Sequence, residues 1–154
     1  MIAAMAQGLL PPGQVRQIPL TVRGDERGSL VAIEGLQNGA ASIDPSATIP
    51  FRIQRVYYIF NTTPGVVRGQ HAHRQLDQLL VAVSGQCHIV TDTGFERQDT
   101  LLNRPDTGLY LNGTVWREMH DFSADCVLMV LASEPYTPDD YIWDYQEFLR
   151  LTTG

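Results

Sequence analysis

Residues 68–85 read RGQHAHRQLDQLLVAVSG: two histidines flank one alanine, a polar break follows, and an apolar run stops at Gly85. In a strand, residues i and i+2 point to the same face, so His71 and His73 look the same way, into the interior of whatever these strands enclose. Outward from this stretch the chain is a series of short apolar runs. They are VRQIPLTV (15–22), GSLVAIEG (28–35), IPFRIQRVYYIF (49–60), QLLVAVSG (78–85), QCHIVTDTG (86–94), GLYLNGTVWREM (108–119) and CVLMVLAS (126–133). Between them lie RGDERG, QNGAASIDPSA, NTTPG, NRPDTG and HDFSAD, whose glycines, prolines and short polar residues favour turns. Short strands at this spacing predict an all-β fold, an antiparallel barrel or sandwich.

The pattern breaks only at the end. TPDDYIWDYQEFLRL (137–151) offers Thr137 as a helix N-cap, Pro138 at the first helical position and Asp140 three residues after the cap. Tyr141, Tyr145, Phe148 and Leu149 fall on one helical stripe, so a short C-terminal helix is predicted, its aromatic residues serving packing. Residues 1–14, broken by Pro11, Pro12 and Gly13, read as a loose leader, and 15–154 as one domain.

The 154 residues are enough for one sizeable core, and 44% hydrophobic against 18% charged residues is a globular balance. A net charge of -6 argues against nucleic acid or anionic membrane as partners. All 11 basic residues are arginine, so a bound anion would meet planar guanidinium forks or backbone amides. Cys87 and Cys126 sit in apolar runs without a CxxC pair and read as buried free thiols. With no signal-peptide pattern and no run of ~20 apolar residues, a cytoplasmic protein is expected.

From Gly65 the spacing is G, five residues, His71-Ala72-His73, four residues, Gln78, six residues, Gly85. This resembles the first motif of the cupin superfamily, with Gln78 where glutamate is usual, or Asp77 there if the register shifts by one. The second motif of metal cupins, P-x-G-x2-H, is matched only loosely by Pro105 and Gly108, and Leu111 occupies the histidine position. Imidazole and carboxylate hold first-row metals, and amides are weak substitutes. The residues favour a metal-free site in which the imidazoles move protons near neutral pH.

In FRIQRVYYIF the odd positions, Phe51, Ile53, Arg55, Tyr57 and Ile59, are mainly apolar with one arginine and one tyrosine embedded. An inward face holding a polar ligand has that composition. The plainer reading has Arg55 pairing with a core carboxylate and Tyr57 filling space. Arg68, three residues before His71, adds a second guanidinium. Two arginines beside two histidines and a tyrosine suit a phosphorylated sugar with exchangeable protons.

RGSLVAIE, IPFRIQRVYYIFNT, RGQHAHRQLDQLLVAVSGQC, GLYLNGTVWREMHDFSADCVLMVLASEPYTPDDYI and YQEF together resemble the dTDP-sugar 3,4-ketoisomerases, small RmlC-like, WxcM-like cupins, over about Val15 to Phe148. The resemblance implies a cupin jelly roll with a short C-terminal helix, no cofactor or metal, and a homodimer that often exchanges an N-terminal strand. It implies conversion of dTDP-4-keto-6-deoxyglucose to a 3-keto isomer on the way to 3-amino-3,6-dideoxyhexoses. It assigns His73 as base, His71 as its partner and Tyr57 as a hydroxyl in the proton path. Arg55, Arg68 and Gln78 would line the site, and Arg27 and Arg117 would stand where members of different C4 outcome diverge. Here those two point opposite ways, so the product configuration stays open. Rival readings are a metal-dependent dioxygenase or sugar-phosphate isomerase, a sugar-nucleotide-binding protein without activity, and a 3,5-epimerase.

Overall fold

The computed structural model describes residues 9–154. Its strands, in chain order, are β1 (Gln14–Pro19), β2 (Val22–Asp25), β3 (Gly28–Val31), β4 (Arg55–Ile59), β5 (Arg68–His73) and β6 (Gln78–Ser84). There follow β7 (Cys87–Asp92), β8 (Arg97–Leu102), β9 (Thr107–Asn112), β10 (Trp116–His120), β11 (Val127–Ala132) and β12 (Tyr141–Ile142), then the helix α1 (Tyr145–Thr153). One five-stranded sheet has the order β1-β9-β6-β11-β4 and the other β12-β5-β10-β7-β8, with every pairing antiparallel. A separate hairpin pairs β2 with β3. This is the expected all-β jelly roll.

The core lies between the two sheets. Leu80 and Ala82 of β6, Ile89 of β7, Leu109 and Leu111 of β9 and Leu128 and Val130 of β11 meet there, all fully buried. Alternate residues of the same strands, Leu79, Val81, Tyr110 and Leu131, form a second cluster on the outer face of the first sheet. The chain around Ile49 and Phe51 covers that cluster. Alternation holds through residues 51–60, odd positions buried or half-buried and even ones exposed. Regular pairing begins only at Arg55, however. Phe51 therefore packs into the outer cluster, and only Tyr57 and Ile59 reach the inter-sheet core.

Two runs expected as single strands are broken by backbone chemistry. VRQIPLTV divides after Pro19 into β1 and β2. GLYLNGTVWREM divides at Gly113, whose φ of 70° turns the chain from one sheet into the other. A Cβ there would lie 2.4 Å from the Pro12 carbonyl oxygen, so only glycine fits the corner.

The C-terminal prediction needs correction. Thr137 and Pro138 start only a 3₁₀ turn, Pro138–Asp140, and the Thr137 side chain makes no capping bond. Tyr141 and Ile142 then pair with His73 and Ala72. The helix begins at Tyr145, capped by the Asp144 carboxylate, which accepts from the Glu147 N–H. Phe148 packs with Trp116 and Ile142 against Ala72, so the helix braces the face of β5 opposite the histidines. The leader expected over 1–14 lies outside the described residues for 1–8. Its remainder is tied down, with the Leu10 N–H donating to Leu151 O and Pro12 bridging Thr114.

Candidate active site

Strand β5 bulges just before its histidines. Gly69 and Gln70 both have positive φ, 83° and 54°, and the register against β10 shifts between Arg117 and Glu118. A Cβ on Gly69 would lie 2.9 Å from the Arg117 carbonyl oxygen. Such bulges re-aim side chains. Here the bulge turns the Gly69 carbonyl to accept from His71 Nδ1 at 2.9 Å.

His71 Nε2 lies 3.1 Å from His73 Nε2, with the two rings at 89°. His73 Nδ1 in turn lies 3.0 Å from Asp140 Oδ2. Tyr141 packs against both imidazoles, its ring centroid 4.9 Å from His71 and 4.4 Å from His73, and Trp143 stacks on Tyr141. His71 opens on a cavity of about 520 Å³ that it shares with Arg55, Tyr57, Arg68 and Trp143. His73, 1% exposed, stands behind it and borders a smaller cavity of about 260 Å³ with Arg55 and Asp140. His71, and not His73, thus shares the larger cavity with Tyr57.

The opposite wall is a polar network inside the core. Arg117 has no exposed surface, and its guanidinium donates twice to the Val115 carbonyl and once to Gln78 Oε1. Because arginine only donates, the Gln78 oxygen must face it, which leaves Nε2 to donate to the Tyr57 hydroxyl at 3.2 Å. Arg55 lies over the Tyr57 ring at 5.0 Å and near that of Tyr136 at 5.7 Å. It pairs with no carboxylate among the described residues, and its buried Nε has no partner. A core ion pair is thus not its role.

Burial is the largest influence on the titration of these groups. It and the charge of Arg117 push His71 down to about 3. His73 is pushed down to about 4, burial outweighing the opposing bond to Asp140. Burial raises the Tyr57 hydroxyl and lowers Arg117 to about 10. Asp140 sits below the usual carboxylate range: burial raises it, and the bonds from His73 and the Gln75 and Arg74 N–H groups outweigh that. Both imidazoles are therefore neutral bases at neutral pH.

His71, His73, Tyr57, Arg55 and Arg68 line the two cavities, and Gln78, which borders neither, joins them through its bond to the Tyr57 hydroxyl. Two expected members are elsewhere. Arg27 sits in the β2–β3 turn, its side chain 84% exposed and paired with Asp25, because GDERG closes a tight hairpin; it borders neither cavity. Arg117 is inside the core and borders neither cavity, reaching the site only through Gln78. Asp77 precedes β6 and makes no bond to the site, whereas Gln78 meets Arg117 and Tyr57, so Gln78 is the residue in the carboxylate position. His120 pairs toward Glu118 and His88, away from the site. Among the described residues no cluster of His, Cys, Asp or Glu could hold a metal. Asp140 and Tyr141 were missed as site residues because the helical pattern absorbed them.

Comparison with known proteins adds three findings. The family model FdtA (WxcM-like, C-terminal) matches residues 14–153. A TDP-4-oxo-6-deoxy-alpha-D-glucose-3,4-oxoisomerase of Aneurinibacillus thermoaerophilus is 50% identical over 126 residues, 82% of this chain and 84% of that protein. A 3,4-ketoisomerase structure from Helicobacter canadensis superposes with a TM-score of 0.80 at 41% identity, covering 91% of this chain and 98% of the other. The sugar 3,4-ketoisomerase QdtA of Thermoanaerobacterium thermosaccharolyticum, in complex with TDP, superposes with a TM-score of 0.80 at 39% identity, covering 90% and 94%.

Proposed function

We propose that this chain, which belongs to the FdtA family of WxcM-like proteins and is an isomerase, converts dTDP-4-keto-6-deoxyglucose to a dTDP-3-keto-6-deoxyhexose by acid–base proton transfer. The observation that carries the reading is the neutral His71–His73 pair, of which His71 shares one cavity with Tyr57. Moving a carbonyl from C4 to C3 needs one base near both carbons and a hydroxyl between the two oxygens.

The histidine pair takes the proton from C3, and the C–H electron pair becomes the C3=C4 double bond as the carbonyl pair moves to O4. Tyr57 accepts a hydrogen bond from Gln78, so its own O–H is free to donate toward the sugar oxygens. It passes a proton from O3 to O4 as the enediol forms. Closing the C3 carbonyl returns the electron pair to C4, which recovers a proton from the pair. A positioned acid–base group supplies ~10² to 10⁴ in rate, and hydrogen bonds to a developing oxyanion ~10² to 10³ more. No electrons leave the sugar, so no redox cofactor is needed.

Arg55 and Arg68 supply the cationic contacts for the diphosphate. The half-buried Arg55, whose guanidinium meets no carboxylate among the described residues, and the Arg68 side chain at the rim support that assignment. The product serves a 3-aminotransferase making 3-amino-3,6-dideoxyhexoses. We place the enzyme in the cytoplasm, as one domain over 15–154 and as a homodimer. Val56 and Tyr58 on the edge strand β4 and Phe60 just after it, all more than half exposed, support pairing with a second copy. Strand β1 pairs with β9 of its own chain, and the same bonds could be made by exchange.

The test is incubation with dTDP-4-keto-6-deoxyglucose and a 3-aminotransferase, read as 3-amino sugar formed. His71→Asn, which keeps size but cannot accept the proton, should lose at least ~10²-fold in turnover. Wild-type protein that binds dTDP yet leaves the keto sugar unchanged would favour a binding protein instead.

A further inference from the structure

We propose that Asp140 is a positioning residue that fixes the tautomer of His73 and so makes the two histidines a single site for one proton. The proposal rests on the histidines being the acid–base pair, and it concerns how they are held.

The inference follows from which atoms can only accept. The Gly69 carbonyl oxygen accepts and cannot donate, so the nitrogen 2.9 Å from it, His71 Nδ1, carries a proton. Asp140 is an ionised carboxylate. Its Oδ1 accepts from the backbone N–H of Arg74 at 3.1 Å and of Gln75 at 2.9 Å, which locks the carboxylate in place. Its Oδ2, 3.0 Å from His73 Nδ1, is then another atom that can only accept, and His73 Nδ1 also carries a proton. Each neutral imidazole has one proton, so both are placed on Nδ1. The two Nε2 atoms, 3.1 Å apart, then face each other with lone pairs.

That contact is completed only by one added proton between the two nitrogens. Burial and Arg117 keep it away in the resting protein. The reaction delivers it: the sugar carbon gives up the proton, its bonding pair stays in the enediol, and the pair with Asp140 passes from one negative charge to neutral. Returning the proton to the neighbouring carbon restores the starting charge. Without Asp140, His73 could carry its proton on Nε2, donate to His71 and occupy the lone pair that has to receive the sugar's proton.

Asp140→Asn separates this role from a merely structural one. The backbone N–H groups of Arg74 and Gln75 hold the amide oxygen in the Oδ1 place, which puts the NH₂ against His73 Nδ1. A donor there forces the His73 proton onto Nε2. Nitrogen-15 NMR of histidine-labelled protein should show His73 protonated on Nδ1 in the wild type and on Nε2 in Asp140→Asn. Turnover number should fall at least ~10²-fold, the lower end for a general base, with dTDP affinity within about twofold of wild type. An Nε2 proton on His73 in the wild type, or an unchanged tautomer and turnover in Asp140→Asn, would overturn the proposal. If Asp140→Asn does not fold, the wild-type spectrum still decides it. The tautomer is read without substrate, so a protein inactive on the keto sugar would refute the catalytic reading while the spectrum still decides whether Asp140 fixes the His73 tautomer.

Discussion

The low proton affinity of the histidine pair makes a stability prediction with a defined sign. In the unfolded chain both histidines titrate near 6.5; in the fold they are pushed to about 3 and about 4. A depressed folded value means that the unfolded state binds protons the native state refuses. Stability is therefore fully present above 6.5 and is lost as pH falls toward the folded values. Each pH unit below 6.5 costs ~1.4 kcal/mol per histidine, so the drop from about pH 7.5 to about pH 5 costs ~2 kcal/mol each and ~4 kcal/mol for the pair. The figure holds for any folded value well below 5. Against a typical total of ~5–15 kcal/mol it is a large share. Asp140 does not confuse the window, since its ordinary value of 3.8 is lowered further and its loss begins at lower pH. Urea unfolding followed by tryptophan fluorescence at both pH values measures the change directly. His71→Asn/His73→Asn keeps every other titrating group, so the wild type should lose ~4 kcal/mol more than the double variant, and either single variant should lie about halfway. Equal losses in wild type and double variant would refute the claim that burial holds the pair neutral.

Two further outcomes test the binding assignments. Arg68→Ala should weaken dTDP binding by ~1.5–3 kcal/mol, the range for a charge-assisted hydrogen bond, and unchanged affinity by calorimetry would remove Arg68 from the site. Light scattering at micromolar concentration should give twice the chain mass of 17.2 kDa, and Tyr58→Glu on the exposed face of β4 should shift it toward the monomer. A persistent monomer in the wild type would count against pairing through this face.

The parts of the fold that were legible in the sequence are those where local periodicity and burial agree. The alternation of residues 51–60 announced an inward face carrying Arg55 and Tyr57, and the i, i+2 histidines announced a shared one. The helix start was misread for a physical reason. Thr137-Pro138 carries a local start signal, but Tyr141 and Ile142 gain more by pairing with β5, and that tertiary contact overrides it. A better signal stood at Asp144, with Glu147 three residues on, and the structure uses that cap. Arg27 could also have been read locally, since an aspartate two residues before it in a tight turn offers a nearby partner. Asp140 could not: it meets a histidine 67 positions away, and nothing in its own neighbourhood marks the meeting.

The residue at 78 shows why the departure from the metal-cupin pattern matters for the chemistry. A glutamate there would be an acceptor only. It would pair with Arg117 and cancel the charge that, after burial, does most to keep His71 neutral. It could not donate to Tyr57, whose O–H would then be drawn to the carboxylate and lost to the sugar. Glutamine does the reverse on each count. Its oxygen accepts from Arg117 without neutralising it, and its NH₂ donates to the Tyr57 oxygen, leaving that hydroxyl proton free to point into the cavity. In the proposed reaction, one amide thus leaves the Arg117 charge that, after burial, disfavours a proton on His71, and turns the Tyr57 hydroxyl toward the proton path.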